Sequence, residues 1–374
     1  MRAIGLMSGT SMDGIDLAFI ETDGAEVVRR LDGTNTAYDE KFRAALRTGC
    51  EVAKRIGDQG RRGDRPGGLA TLEAELTRRH AGVVNEFMQR ARLVRGDVDV
   101  IGFHGHTVLH RLVGEGGTDR LSVQIGDGAL LAALTGIDVV YDLRAADTLA
   151  GGEGAPLVPV YVRALAARLP QRPLAFLNIG GVANLTWIGP DGQLVAFDTG
   201  PGNALIDDWV RAHGGCDYDK DGLIASRGTV DGDVLTELLA NPYFARLAPK
   251  SLDRNDFSGT ACAGLGLEDG AATLTAFTAE TVLKASYLLA QPPEIWIVCG
   301  GGRRNRAIMC ALAERLAAPV VPGEAFGFDG DTMEAEAFAY LAVRSLVGLP
   351  ITFPGTTGVA REMTGGVLAR APTR

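Results

Sequence analysis

The sequence predicts an α/β protein of two related domains with a cleft between them. Three observations carry this. The chain has 374 residues, and at about 100–200 residues per domain that is roughly two domains, each large enough for its own core. An apolar strand, a glycine turn and a second strand open the chain and recur in outline from residue 174. After each hairpin, strands mix with helical stretches, as layered α/β packing requires.

Residues 2–7 read as a short buried strand. Ser8-Gly9-Thr10-Ser11-Met12-Asp13-Gly14 is a turn and 15–20 a second strand, so the pair is a hairpin with a long loop. Residues 39–46 and 69–88 look helical, and the glycine- and arginine-rich stretch 57–68 between them reads as a loop. A strand at 98–103 runs into His104, followed by a helix at 127–134 and a buried strand at 137–141. After the cluster Ala150-Gly151-Gly152-Glu153-Gly154 a helix opens at Pro156, a residue suited to a first helical turn. In the second half, strand 174–178 leads through Ile179-Gly180-Gly181 to strands 182–188 and 193–197, the last ending at Asp198. Helices follow at 204–212, 270–289, 305–316 and 333–347, and a strand at 294–298 stops at Gly300-Gly301-Gly302.

Composition narrows the function. Hydrophobic residues at 46% and charged residues at 22% are globular usage, which excludes disorder, collagen or coiled coil as the main architecture. A formal charge of −9 argues against nonspecific nucleic-acid binding, so a bound anion must be held by backbone donors and a few placed cations. Glycine, at 50 residues, is close to twice its usual ~7% share, which implies tight turns or close backbone approaches to a ligand. The five cysteines are scattered with no C-x-x-C pair, against a disulfide framework or a cysteine zinc site, and a reducing cytoplasm is expected. The apolar stretch 3–7 is too short for a signal peptide, and no uncharged apolar run is long enough to span a membrane.

Several motifs are suited to chemistry, and each has a structural alternative. The loop Gly9 to Gly14 offers backbone N–H groups to an anion, or is a solvated hairpin loop. It is no P-loop, since no Gly-Lys-Ser/Thr follows, and no dinucleotide fingerprint, since a strand comes next. The turns at Gly180-Gly181 and Gly300-Gly301-Gly302 let a phosphate or flat ring approach the backbone, or simply close tight connections. Asp198 stands where a strand ends, as a general base at the carboxyl edge of a sheet or as a helix cap ahead of Pro201. His104, His106 and His110 are spaced for one strand face, but no fourth zinc ligand is evident, and hydrogen bonding to a polar ligand fits better. Arg144 suits a carboxylate ligand or a salt bridge. Glu334, in a first helical turn, is favoured there by the helix dipole alone.

Taken together, Gly5-Leu6-Met7-Ser8-Gly9-Thr10-Ser11-Met12-Asp13-Gly14-Ile15-Asp16 resembles the signature opening of the anhydro-N-acetylmuramic acid kinases. The resemblance continues through His104-Gly105-x-Thr107, Gln124 to Gly128, residues 144–159, Asn178 to Leu185, Phe197 to Asn203, Pro249-Lys250-Ser251, the 300–302 glycines and Glu334-Ala335. It implies a two-lobed actin-like ATPase fold of duplicated ribonuclease H-like domains, with an interlobe active-site cleft. It also implies ATP with Mg²⁺, a cytoplasmic homodimer and a role in peptidoglycan recycling. Lobes at 1–143 plus 352–374 and at 144–351 are expected. The resemblance implies that Gly9, Thr10, Ser11, Met12, Asp13, Gly14, Ile15, Asp16, Gly180, Gly181, Gly300, Gly301 and Gly302 hold nucleotide. Asp198 would be the catalytic base, Glu334 would place the water, and His104, Gly105, Thr107 and Arg144 would line the sugar site.

Two departures stand out. His106 replaces the family's usual glutamine. Met7 and Asn178 stand where many actin-like ATPases begin each phosphate hairpin with aspartate, so magnesium would rest mostly on phosphates and water. The implied reaction opens 1,6-anhydro-N-acetylmuramic acid with water and phosphorylates its 6-oxygen from ATP. An ordinary sugar kinase acting on a free hydroxyl and a non-catalytic nucleotide-gated module are the alternatives, with a dinucleotide oxidoreductase more distant.

Overall fold

The computed structural model describes residues 1–9, 11–59, 62–111, 121–252, 256–328 and 332–372, without side chains at 57–59. The chain divides into two compact units, Met1–Arg168 with Thr332–Arg374, and Leu169–Asp331. The lobe limits expected from sequence differ, because 144–168 and 332–351 group with the first unit.

The first unit opens with β1 (Arg2–Ser8), β2 (Gly14–Thr22), β3 (Val28–Ala37), α1 (Glu40–Gln59) and α2 (Leu69–Arg90). It continues with β4 (Val100–Arg111), β5 (Leu121–Ile125), α3 (Gly128–Thr135), β6 (Val139–Tyr141), α4 (Ala145–Leu149) and α5 (Pro159–Ala166). The second unit holds β7 (Leu174–Ile179), β8 (Val182–Ile188), β9 (Leu194–Pro201), α6 (Ala204–Gly214), α7 (Gly232–Leu239) and α8 (Leu267–Ser286), then β10 (Trp296–Cys299), α9 (Arg306–Arg315) and β11 (Val320–Pro322). The chain then returns to the first unit with α10 (Met333–Leu346), the short α11 (Pro354–Thr357) and β12 (Val367–Ala369).

The sheet orders are β12-β6-β4-β1-β2-β3, with β5 paired to β4 off that path, and β11-β10-β7-β8-β9. In the first, antiparallel β1, β2 and β3 are extended from β1 by the parallel strands β4 and β6. In the second, β7, β8 and β9 are extended from β7 by β10 and β11 in the same order and directions. The same plan built twice is the duplicated ribonuclease H-like topology of the actin-like ATPases, as expected.

β1 and β7 are central, covered on both faces, and so read as continuous apolar runs. Ile4, Leu6, Leu17 and Phe19 share one core with Leu46, Val84 and Phe87 from α1 and α2. Leu177, Ile179 and Phe197 share the other with Trp209, Phe277 and Val298. On its other face the first sheet receives α10. Gly5 and Gly102 lie side by side there, and a Cβ on either would collide with a carbonyl oxygen of α10, that of Ala335 or Phe338. Glycine therefore lets the helix backbone lie on the sheet and fixes the position of the helix that bears Glu334.

Some elements depart from the sequence reading. β3 is a polar edge strand, mostly exposed, with no apolar run to betray it. α1 runs on into the expected loop at 57–68, and the helix after the glycine cluster opens at Pro159 instead of Pro156. β9 continues past Asp198 to Pro201. Among the described residues, no helix is long and apolar enough to cross a membrane.

Candidate active site

Each unit carries a bulged strand, and each bulge adjoins an expected site residue. Between Leu6↔Phe103 and Ser8↔His106, one residue of β1 faces two of β4, His104 and Gly105. Gly105 has φ 72°, the left-handed region where glycine is at ease. In the second unit, Asn184↔Asp198 is followed by Ala183↔Gly200, which leaves Thr199 as the extra residue. Bulges bend a strand and re-aim its side chains, and they recur beside active sites.

In the first unit the His104 bulge meets Arg144. Nδ1–H of His104 donates to the Gly105 carbonyl at 2.9 Å, which leaves Nε2 as acceptor for Nε and Nη2 of Arg144 at 3.4 and 3.2 Å. Nη1 of Arg144 donates to the Gly154 carbonyl at 2.7 Å. All its hydrogen-bond partners among the described residues are neutral, and burial pushes the guanidinium down to about 10. Asp147 holds the 152–154 loop in place by accepting from Gly154 N–H at 2.7 Å and from Thr357 Oγ at 2.5 Å. Thr107 is tied to Gln124 Nε2 at 3.1 Å.

Glu334, exposed at the start of α10, forms no hydrogen bond among the described residues. The protein packed around it nevertheless desolvates the carboxyl enough to raise its pKa; Arg144 opposes this, while Asp16 and Asp13 add to it. The expected acid, the expected cation and the hairpin expected to bind phosphate thus fall within electrostatic reach of one another. In the hairpin, Ser11 Oγ donates to Asp13 Oδ1 at 2.8 Å, and Met12 takes a left-handed φ of 55°. Ile15 is core, so only its backbone can face a ligand. Thr10 lies outside the described residues.

In the second unit, Gly180 and Gly181 form the turn between β7 and β8. Asn203 knits this turn to the others: its N–H donates to the Gly180 carbonyl at 2.7 Å and its Nδ2 to the Ile179 carbonyl at 3.2 Å. A Cβ on Gly300 or Gly302 would collide with Asn178 or Ile179, so the 300–302 turn packs directly on the hairpin. Asp198 does not cap α6, whose N-cap is Asn203; instead its Oδ2 accepts from Leu252 N–H at 2.8 Å.

Gly180 and Gly181 themselves are not demanded by the fold. A Cβ on either would meet nothing closer than 3.6 Å. Each leaves room beside the backbone, as a turn expected to hold nucleotide would. Gly181→Ala is expected to leave the melting temperature nearly unchanged while raising the KM for nucleotide about tenfold, since the added methyl fills that room. A drop in melting temperature with unchanged KM would make the glycine structural.

Residues 1–371 match the sequence pattern of the family described as anhydro-N-acetylmuramic acid kinase. A relative of that name from Agrobacterium fabrum (strain C58 / ATCC 33970) is 50% identical over 99% of this chain and 98% of its own. One from Rhizobium johnstonii is 51% identical over 98% of each chain. The chain belongs to the anhydro-N-acetylmuramic acid kinase family. Among solved structures, component A of the Acidaminococcus fermentans (R)-2-hydroxyglutaryl-CoA dehydratase aligns over 93% of this chain and 99% of its own, at 10% identity and a TM-score of 0.47. The fold assignment rests on the strand order above, not on that likeness.

As a member of this kinase family, the protein is an ATP-using sugar kinase that passes a phosphoryl group to an alcohol oxygen. The first unit of the kinase buries three histidines, His80, His104 and His106. His106 is fully buried. Its Nδ1 shares a hydrogen bond with Ser8 Oγ at 3.1 Å, and Ser8 Oγ accepts from Tyr38 OH at 2.9 Å. His80 Nδ1–H donates to the Leu76 carbonyl at 2.8 Å. Burial lowers both rings from 6.5 to about 4, and His104 well below 6.5. The Nδ1 atoms of His104, His106 and His110 go to separate partners, and among the described residues no group of His, Cys, Asp and Glu could hold a metal ion.

The sign of the pH effect follows. Below 6.5 the unfolded chain takes up protons that the folded histidines refuse, so stability present above 6.5 is lost as the pH falls toward 4. Each histidine contributes a slope of roughly 1.4 kcal/mol per pH unit. Urea midpoints between pH 7 and 5 should show this, and His80→Leu should flatten the slope by one histidine's share. An unchanged slope in that variant would refute the assignment.

Several residues that shape the candidate site were not singled out by sequence. Glu336, two residues beyond Glu334, is buried and accepts from Arg30 Nε at 2.5 Å, Thr332 Oγ at 2.6 Å and the Tyr161 hydroxyl, which anchors the start of α10. Asn203 and Asp147 lay inside motifs already quoted, but their bonds join residues distant in sequence. Tyr243, whose hydroxyl donates to the Asp198 carbonyl at 2.6 Å, carried no signal at all.

Proposed function

We propose that the protein opens 1,6-anhydro-N-acetylmuramic acid and phosphorylates its 6-oxygen, giving N-acetylmuramic acid 6-phosphate and ADP. The observation that carries this reading is Asp198, held beside a bulge by Leu252 N–H in the edge strand of the sheet, while the N-cap of α6 is Asn203 instead. Asp198 takes a proton from water as that water's oxygen bonds to the anomeric carbon. The bond from that carbon to the 6-oxygen breaks, and the 6-oxygen attacks the γ-phosphorus of ATP, releasing ADP. Phosphoryl capture of the leaving oxygen does the work of the general acid in a glycosidase. One carboxylate base therefore suffices.

The remaining residues position and stabilise. Arg144, whose hydrogen-bond partners among the described residues are neutral, would pair with the lactyl carboxylate, and His104, Gly105 and Thr107 would face the sugar. Glu334 would orient the water. The residues Gly9 to Asp16, the turn Gly180-Gly181 and Gly300-Gly301-Gly302 would hold the nucleotide, whose transfer is mainly a matter of positioning and electrostatics. The carboxylate oxygens of Asp13 and Asp16 suit a hard cation, yet no metal cage converges among the described residues, so they would hold magnesium through its water shell. Bound there, magnesium would neutralise charge on the phosphates. By the same family likeness the enzyme would act as a cytoplasmic homodimer in peptidoglycan recycling.

A coupled ADP-release assay tests the substrate. Release that depends on the anhydrosugar and is slow with the open sugar is expected. Faster release with the open sugar would make this an ordinary sugar kinase.

A further inference from the structure

Lys250 has no part in the reaction above, yet it is 97% buried: only 3% of its surface is exposed. Its Nζ lies 4.6 Å from the centre of the Tyr243 ring and 5.6 Å from that of Phe197, and donates to the Tyr243 carbonyl at 3.3 Å. It forms no ion pair among the described residues. Burial, with Arg246 nearby, pushes the ammonium down to about 8. A desolvated cation without a counter-ion costs stability, and apolar replacements of such charges are often neutral or stabilising.

What the ammonium does hold is a segment of backbone. β9 is the edge strand of its sheet, so the outward N–H and C=O of Asp198 have no neighbouring strand to bond. The 243–252 segment fills that role. Asp198 N–H donates to the Lys250 carbonyl at 3.0 Å, Tyr243 OH donates to the Asp198 carbonyl at 2.6 Å, and Leu252 N–H donates to Asp198 Oδ2 at 2.8 Å. Lys250 ties the two ends of this cradle together, since its side chain binds Tyr243 while its own carbonyl binds Asp198.

We propose that Lys250 is a positioning residue for Asp198: by bonding the Tyr243 carbonyl and lying against the Tyr243 and Phe197 rings, it locks the 243–252 segment, which sets the direction of the Asp198 carboxylate. The proposal rests on Asp198 being the base. Lys250→Met keeps the stem and removes the ammonium. It is expected to lower kcat by about 10- to 100-fold, the scale of a small misplacement of a reacting group. KM for ATP and for the sugar should stay within about twofold. The melting temperature should hold or rise. In an Asp198→Asn background the same change should cost nothing more, because the two act through one group. Tyr243→Phe, which removes the hydroxyl and keeps the ring, should show the same split between kcat and KM.

Three results overturn the proposal. The first is wild-type turnover in Lys250→Met or in Tyr243→Phe while Asp198→Asn is inactive. The second is a kcat loss that tracks a fall in melting temperature and recurs in the Asp198→Asn background, which makes Lys250 merely structural. The third is retained turnover in Asp198→Asn itself, which removes the base assignment and this proposal with it.

Discussion

Asp198→Asn is expected to lower kcat by about 10²–10⁴-fold, the usual worth of a general base. That is roughly 3–5 kcal/mol of transition-state stabilisation. The substitution is nearly isosteric, and the amide oxygen of asparagine still accepts from Leu252 N–H, so the cradle survives. The main-chain bonds to Lys250 and Tyr243 are untouched. Nucleotide affinity, read by calorimetry, should therefore match the wild type while turnover collapses. Turnover near the wild-type rate would reassign the base, and lost ATP affinity would mean that Asp198 supports the nucleotide turns instead.

Arg144→Ala is expected to raise KM for the acidic sugar by about 10- to 100-fold, since a hydrogen bond to a charged group is worth about 1.5–3 kcal/mol. KM for ATP should change far less. Arg144 also braces the Gly154 loop, so loss of the side chain has a structural component. A substrate without the lactyl acid separates the two roles. If Arg144 pairs with the carboxylate, wild type and variant should handle that neutral sugar alike. If both KM values rise together, or the neutral sugar suffers equally, Arg144 is a brace or a hinge.

The sequence disclosed those parts of the fold whose physics is local. β1, β7 and β10 are buried on both faces and announce themselves as apolar runs closed by glycine or serine. β3 lies at a sheet edge with mostly polar, exposed side chains, and the other edge strand, β12, is only three residues long, so neither leaves such a trace. The Thr199-Gly200-Pro201 stretch looks like a turn, but pairing with β8 draws it into β9 and converts the expected break into a bulge. Position along the chain therefore located Asp198, while its orientation depended on a partner strand and on a segment some fifty residues away. Glu334 and Glu336 are equivalent by propensity, since both are acids in a first turn. Only packing separates them: Glu336 points inward to Arg30 and Tyr161, and Glu334 is left exposed near Asp13, Asp16 and Arg144. The motif resemblance pointed to Arg144 as a sugar-side residue, and the structure adds that its hydrogen-bond partners among the described residues are a neutral imidazole and a carbonyl.

The central claim is that water, activated by Asp198, ends on the anomeric carbon while the γ-phosphoryl of ATP ends on the 6-oxygen. Reaction in ¹⁸O-water, sampled in the first turnovers before the reducing sugar exchanges with solvent, measures this directly. One heavy oxygen is expected on carbon one of the earliest product and none in the phosphoryl group. Early product with unlabelled carbon one would contradict it, because no bond to that carbon would then have been opened by water.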